Sequence, residues 1–189
     1  MKKLVVKTYL EGDEAFLRKL SDVGMEMSPV IWQHERVYLA SNYQPKMNYP
    51  RLVLRTEVRE TSRPATYAVY LKRHIEDSGL DFENFTTIGN YTEMTGMIHQ
   101  LGYRKVAEVS RQRREVWLDE RTVIYLDVIE GIQGCFVKIE AEMMEGVSVE
   151  TVKMELYKTL RLFGFVTFVT QTYAEILLGQ MQPYYIPEF

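Results

Sequence analysis

The stretch "VSRQRREVW", Val109–Trp117, is where the fold is decided. Val109, Val116 and Trp117 favour extended chain, so it reads as a β-strand. Side chains alternate faces along a strand, which places Arg111, Arg113 and Glu115 on one side. Two arginines on one face belong either on a solvated surface or around something negative. Which of the two holds depends on the strands that flank them.

Those strands recur along the chain. The segments 2–10, 29–40, 51–60, 66–74, 104–117, 121–129 and 134–141 alternate or carry β-branched and aromatic residues, and 81–88 is a weaker strand. Helices are expected after Gly12-Asp13 (stripe Phe16, Leu17, Leu20, Val23), over 91–101 (stripe Met94, Met97, Ile98, Leu101) and over about 150–163. A final short helix is expected in "YAEILLG". Asn90 with Glu93 and Thr172 with Glu175 have capping-box spacing, and Ser148 is a third N-cap. Gly24, Gly102 and Gly164 are natural stops. Polar loops fall at 41–50 and at Ser62-Arg63-Pro64. The runs 16–39 and 93–118 both go helix, glycine, long strand, a faint internal echo. About eight strands with a few helices suggest α+β architecture: a closed or nearly closed eight-stranded antiparallel β-barrel with flanking helices. Residues 1–180 form one domain on this reading, and 181–189 an extension.

Composition bounds the chemistry. The chain has 189 residues, 46% hydrophobic and 26% charged, enough for a sizeable core. A net charge of −3 argues against wholesale nucleic-acid binding. A single cysteine, Cys135, excludes an internal disulfide and a Cys-rich zinc site. His34, His74 and His99 lack ligand spacing. No apolar run spans a bilayer and the leading stretch has no signal-like core, so a cytoplasmic protein without membrane attachment is expected.

Nearly every strand has one charged face: Lys3 and Lys7; Arg55, Glu57 and Arg59; Lys72; Arg111 and Arg113; Asp127; Lys138 and Glu140. Opposite faces are apolar, as in Leu52 with Leu54 and Val137 with Ile139. An open sheet with one wet face would satisfy this pattern. So would a barrel whose charged faces converge around an anion, for which triphosphate is the natural candidate because Arg and Lys match phosphate oxygens.

Five pieces resemble, in order, the motifs of the CYTH superfamily of triphosphate tunnel proteins, which includes class IV adenylyl cyclases and thiamine triphosphatases. They are "LVLRTEV" (52–58), "YLKRH" (70–74), "QLGYRKVAEVSRQRREVW" (100–117), "IYLDVIEGIQGCFVKIE" (124–140) and "TYAEILLG" (172–179). The resemblance implies an eight-stranded tunnel. It also implies that Lys7, Arg55, Lys72, Arg111 and Arg113 grip triphosphate, with Arg59 as a helper and Arg73 on the surface. The family's first strand reads Glu-x-Glu-x-Lys; here it is Lys3, Val5, Lys7. A later Phe-x-Glu-Ile-Glu becomes Phe136-Val137-Lys138-Ile139-Glu140. Lys3 and Lys138 therefore join the expected phosphate ligands. Asp127 and Glu140 remain as metal carboxylates, with Glu57 a distant third. The family implies Mg²⁺ or Mn²⁺, and the lost carboxylates argue against either ion here.

Three functions follow. The first is a module binding a triphosphate-containing small molecule, ATP or polyphosphate, with weak or absent turnover. The second is an active metal-dependent triphosphatase or class IV-type adenylyl cyclase. The third is a basic groove for an RNA end or an acidic partner, with Tyr67, Tyr70 and Trp117 available for stacking. A homodimer is a further expectation from the resemblance.

Overall fold

The structure is a computed structural model of the chain and describes residues 2–42, 50–60, 63–75, 80–180 and 184–185. In chain order the strands are β1 (Lys2–Leu10), β2 (Ile31–Ala40), β3 (Arg51–Val58), β4 (Thr66–Ile75), β5 (Leu80–Thr87), β6 (Tyr103–Trp117), β7 (Thr122–Ile129) and β8 (Cys135–Glu142). They close into one barrel in the order β1-β5-β4-β3-β2-β6-β7-β8, every pairing antiparallel. Two meanders, β2 to β5 and β6 to β8, join along β2 and β6. The first strand fills the gap between β5 and β8. The open-sheet alternative is thereby excluded.

Helices α1 (Glu14–Asp22), α2 (Tyr91–Gln100) and α3 (Val149–Leu162) lie on the outside. The apolar faces of β1, β7 and β8 (Leu4, Val6, Ile124, Leu126, Val137, Ile139) bury against Phe16 and Leu20 of α1 and Leu156 and Leu160 of α3. A smaller cluster seats Ile98 of α2 on Tyr38 and Leu54. The main core is thus outside the barrel wall, which leaves the inner faces to the charged residues. Small barrels normally do the reverse.

The helix stripes are narrower than the spacing suggested. Val23 is 61% exposed, and Met97 and Leu101 of the second stripe also face solvent. Val23 and Leu101 are the C-cap residues beyond α1 and α2, while Met97 directly precedes Ile98, the one residue that α2 buries fully. The capping box at Thr172 and Glu175 is present in full, but its helix is short: α4 (Tyr173–Glu175) passes at once into a π-helical turn, Ile176–Gln180. Val37, Val53, Val109 and Phe136 pack against Tyr173 and Ala174, so α4 stoppers one end of the lumen with an apolar floor. Two short strands, β9 (Thr167–Phe168) and β10 (Tyr184–Tyr185), pair antiparallel. Most of the 41–50 loop, Ser62 and the rest of the 181–189 extension lie outside the described residues.

Candidate functional site

The lumen is a cavity of about 440 Å³, blind at the α4 floor. Alternation along each strand delivers its lining. β1 contributes Lys3, Val5 and Lys7; β3 contributes Arg51, Val53 and Arg55; β6 contributes Arg111, Arg113, Glu115 and Trp117. Every phosphate-gripping residue expected from the sequence (Lys3, Lys7, Arg55, Arg59, Lys72, Arg111, Arg113, Lys138) lines this one cavity. Arg73 is exposed, as expected. Arg111 and Arg113 of β6 point inward.

The described lining comprises nine basic side chains against five acidic ones. The chain as a whole is acidic, at −3, so the positive charge is concentrated here. Two salt-bridge systems organise it. In the first, Glu35 of β2 receives Arg55 (Nε 2.7 Å) and Arg111 (Nη2 2.8 Å), while Gln33 Oε1 accepts the Arg111 Nε–H at 2.7 Å. Burial opposes the charged form of Glu35, but Arg111 and Arg55 outweigh it and hold the carboxyl well below its usual range. Arg55 also donates to Tyr70 Oη at 2.9 Å and lies over that ring, 4.2 Å from its centre. In the second, Lys72 meets Glu83 at 3.0 Å, Lys3 lies 3.2 Å from Glu83 and 3.4 Å from Glu140, and Lys138 meets the other Glu140 oxygen.

Asp127 lies just behind the lining and is fully buried. Arg113 clamps it through Nε and Nη2, each at 2.6 Å, and Tyr173 Oη donates to Oδ2 at 2.7 Å. Burial pushes its carboxyl up, yet Arg113 brings it down to about 2. This arrangement uses two of the five guanidinium N–H donors of Arg113, leaving the others for a ligand. Glu57 is bonded to Gln33 and Arg59, away from Asp127 and Glu140.

Lys7 and Lys138 are direct cross-strand neighbours on β1 and β8. Burial, with Lys138 opposite, lowers Lys7 to about 8; burial, with Arg113 and Arg111 nearby, lowers Lys138 to about 8 despite Glu140. Like charges opposed on a sheet are destabilising. Here they are also desolvated, and each has a protein partner: Lys138 meets Glu140 and Lys7 donates to the Gln171 carbonyl oxygen.

Sequence reading missed Glu35, Arg51, Asp81, Glu83, Tyr125 and Tyr173 as lumen residues, and Gln33 as the buried partner of Arg111. Glu35 and Glu83 were within reach of the alternation rule, since each shares its strand face with other polar side chains. Tyr173 carried no such signal: it reaches Asp127 because the chain returns to the barrel floor forty-six positions later. Of the aromatic candidates, Tyr70 and Trp117 line the cavity together with Phe85, which stacks on Tyr70. Tyr67 instead packs on Tyr91 of α2.

No protein-family model matches the chain, and no curated protein does. Solved structures do. The PH1819 protein from Pyrococcus horikoshii superposes with a TM-score of 0.83 at 21% identity, covering 95% of this chain and 99% of its own. A candidate adenylate cyclase from Vibrio parahaemolyticus gives 0.76 at 16% identity, covering 93% and 97%. HpAC1 from Hippeastrum, a candidate adenylyl cyclase with a dominant triphosphatase activity, gives 0.60 at 16% identity, covering 96% and 98%. At these identities the likeness concerns the fold.

Proposed function

Since this chain has the CYTH-type tunnel fold, we propose that its lumen binds a triphosphate-containing small molecule, a nucleotide or tripolyphosphate, without requiring a divalent metal, and that it turns the ligand over weakly or not at all. The observation that carries this reading is the facing pair Lys7 and Lys138 within a lining of nine basic and five acidic side chains. Such an arrangement is costly when empty and suits a compact polyanion. Arg55, Lys72, Arg111 and Arg113 surround the same space, and the blind floor favours a small ligand over a polymer passing through.

Absent carboxylates support the second half of the reading. Both Asp127 oxygens are engaged by Arg113 and Tyr173, and both Glu140 oxygens by lysines. Among the described residues no three His, Cys, Asp or Glu side chains come together as a metal-holding group. The donor set does not fit Mg²⁺, which needs available oxygen ligands, because Arg113, Tyr173, Lys3, Lys72 and Lys138 already hold the oxygens of Asp127, Glu83 and Glu140.

A second reading, an active triphosphatase or cyclase, is favoured by the similarity to HpAC1 and to the Vibrio protein. Calorimetric titration with tripolyphosphate and ATP, with and without Mg²⁺, separates the two when run beside assays of phosphate and pyrophosphate release. The first reading expects binding that barely responds to Mg²⁺ and negligible release. Vigorous metal-dependent release establishes the second, and absence of binding removes the first.

A further inference from the structure

Within that reading of the lumen, we infer that the Lys3 ammonium is a tethered cation standing between Glu83 and Glu140 where a divalent ion would otherwise be held. The geometry is that of a clasped ion. Lys3 Nζ lies 3.2 Å from Glu83 Oε2 and 3.4 Å from Glu140 Oε2, with the three side chains 22%, 11% and 12% exposed. The remaining oxygens are taken by flanking lysines: Glu83 Oε1 by Lys72 at 3.0 Å, and Glu140 Oε1 by Lys138. The result is an alternating row, Lys72–Glu83–Lys3–Glu140–Lys138, with cations at both ends and one at its centre.

Topology explains why Lys3 holds the centre. β1 is hydrogen-bonded to both β5 and β8, and Lys3 is in register with Asp81 on one side and Glu142 on the other. A side chain there reaches inward between Glu83 of β5 and Glu140 of β8. An ammonium has three N–H donors. Two serve the carboxylates, which leaves one for a phosphate oxygen. A divalent ion bridging two carboxylates to a phosphate would link the same three partners; Lys3 does so from within the chain, with its charge fixed in place and no metal to acquire. Lys3 is thus a positioning and charge-supplying residue whose loss should uncover the site it fills.

The test compares Lys3→Ala, which removes the ammonium and opens space, with Lys3→Met, which removes the charge but keeps the bulk. Mn²⁺ alone, followed by electron paramagnetic resonance, should be bound by Lys3→Ala and not by the unmodified protein, by Lys3→Met, or by Lys3→Ala combined with Glu83→Gln and Glu140→Gln. Tripolyphosphate binding without metal should weaken about ten- to a hundredfold in both single variants. Added Mn²⁺ should restore it in Lys3→Ala and leave Lys3→Met unrestored. Lys3→Ala that ignores Mn²⁺ in both assays, or unmodified protein that binds Mn²⁺ as well as Lys3→Ala does, overturns the inference. The metal-only arm decides it even where the unmodified protein fails to bind tripolyphosphate, a result that would count against triphosphate binding alone. Circular dichroism on each variant confirms a folded barrel.

Discussion

Lys7 and Lys138 give the lumen a titratable signature. Each is brought to about 8 by burial and by its cationic neighbours. A phosphate placed between them reverses that balance and raises both. At pH 8 a terminal phosphate, with a second pKa of about 6, is already ionised. ATP binding at pH 8 should therefore draw protons onto the protein, and calorimetry in buffers of different ionisation enthalpy reads this directly. Lys138→Met should lose part of the uptake; a proton balance of zero would place the ligand elsewhere. Arg111→Ala should weaken tripolyphosphate binding by about 1.5–3 kcal/mol, the scale of a charge-assisted hydrogen bond. Arg113 has a second duty, because it neutralises Asp127. Asp127→Asn leaves that guanidinium buried without its counter-charge and should cost about 3–5 kcal/mol in denaturant unfolding. A loss under 1 kcal/mol would mean that water reaches Arg113.

The elements that matter most are β6 and the short α4. β6 runs the length of the barrel, pairs with both β2 and β7, and so places Arg111 beside Gln33 and Arg113 beside Asp127. α4 is held at its start by the reciprocal bonds of Thr172 and Glu175, and by Tyr173 donating to Asp127. Tyr173→Phe removes one hydrogen bond to a buried carboxylate and should cost about 1.5–3 kcal/mol. Thr172→Ala should cost about 1 kcal/mol through the lost cap. Urea midpoints of the two variants test this order; equal losses would mean that the floor is fastened by packing rather than by the phenol. Gly134, before β8, has φ +80°, and a Cβ there would stand 2.3 Å from the Leu10 carbonyl oxygen. Gly134→Ala must therefore move the end of β1 that bears Lys7.

The empty barrel as a whole is a charged interior enclosed by an apolar exterior under helices, and its stability should follow pH accordingly. Glu83 and Asp127 are each held at about 2, below their ordinary 4.5 and 3.8, by lysine and arginine partners that outweigh burial. Their contribution is complete above about pH 4.5 and is lost as pH falls toward 2. Lys7 and Lys138 act in the opposite sense. Their folded values near 8 lie below the ordinary 10.5, so the unfolded chain holds more protons above pH 8 and the empty protein should gain stability from pH 8 to 9. Above 9, Cys135, raised to about 11 by burial, works against the gain. Tripolyphosphate at a hundred times its dissociation constant should add about 2.7 kcal/mol at neutral pH. Denaturant midpoints across pH 2–9, with and without tripolyphosphate, check both limbs; a flat profile from pH 8 to 9 would show that the two lysines keep their protons in the folded protein.

Alternation along the chain was enough to place the eight strands, their charged faces and the inward-facing arginines, because a two-residue period survives in any sheet that buries one side. Caps and glycine stops located the helices for the same local reason. Strand number and the resemblance to the tunnel proteins carried the barrel, and the strands do close. Closure of the sheet was not legible in the alternation, since an open sheet and a barrel write the same pattern. Nor were the partners of the charges. Arg113 and Asp127 are cross-strand neighbours, but Tyr173 joins them from a different element, and Lys3 meets Glu83 and Glu140 only because β1 closes the barrel between β5 and β8. Residue identity specified which groups are charged and which way they face. Barrel closure set which charges meet, because those distances depend on strands that are far apart in sequence and are brought together by the helices packed outside.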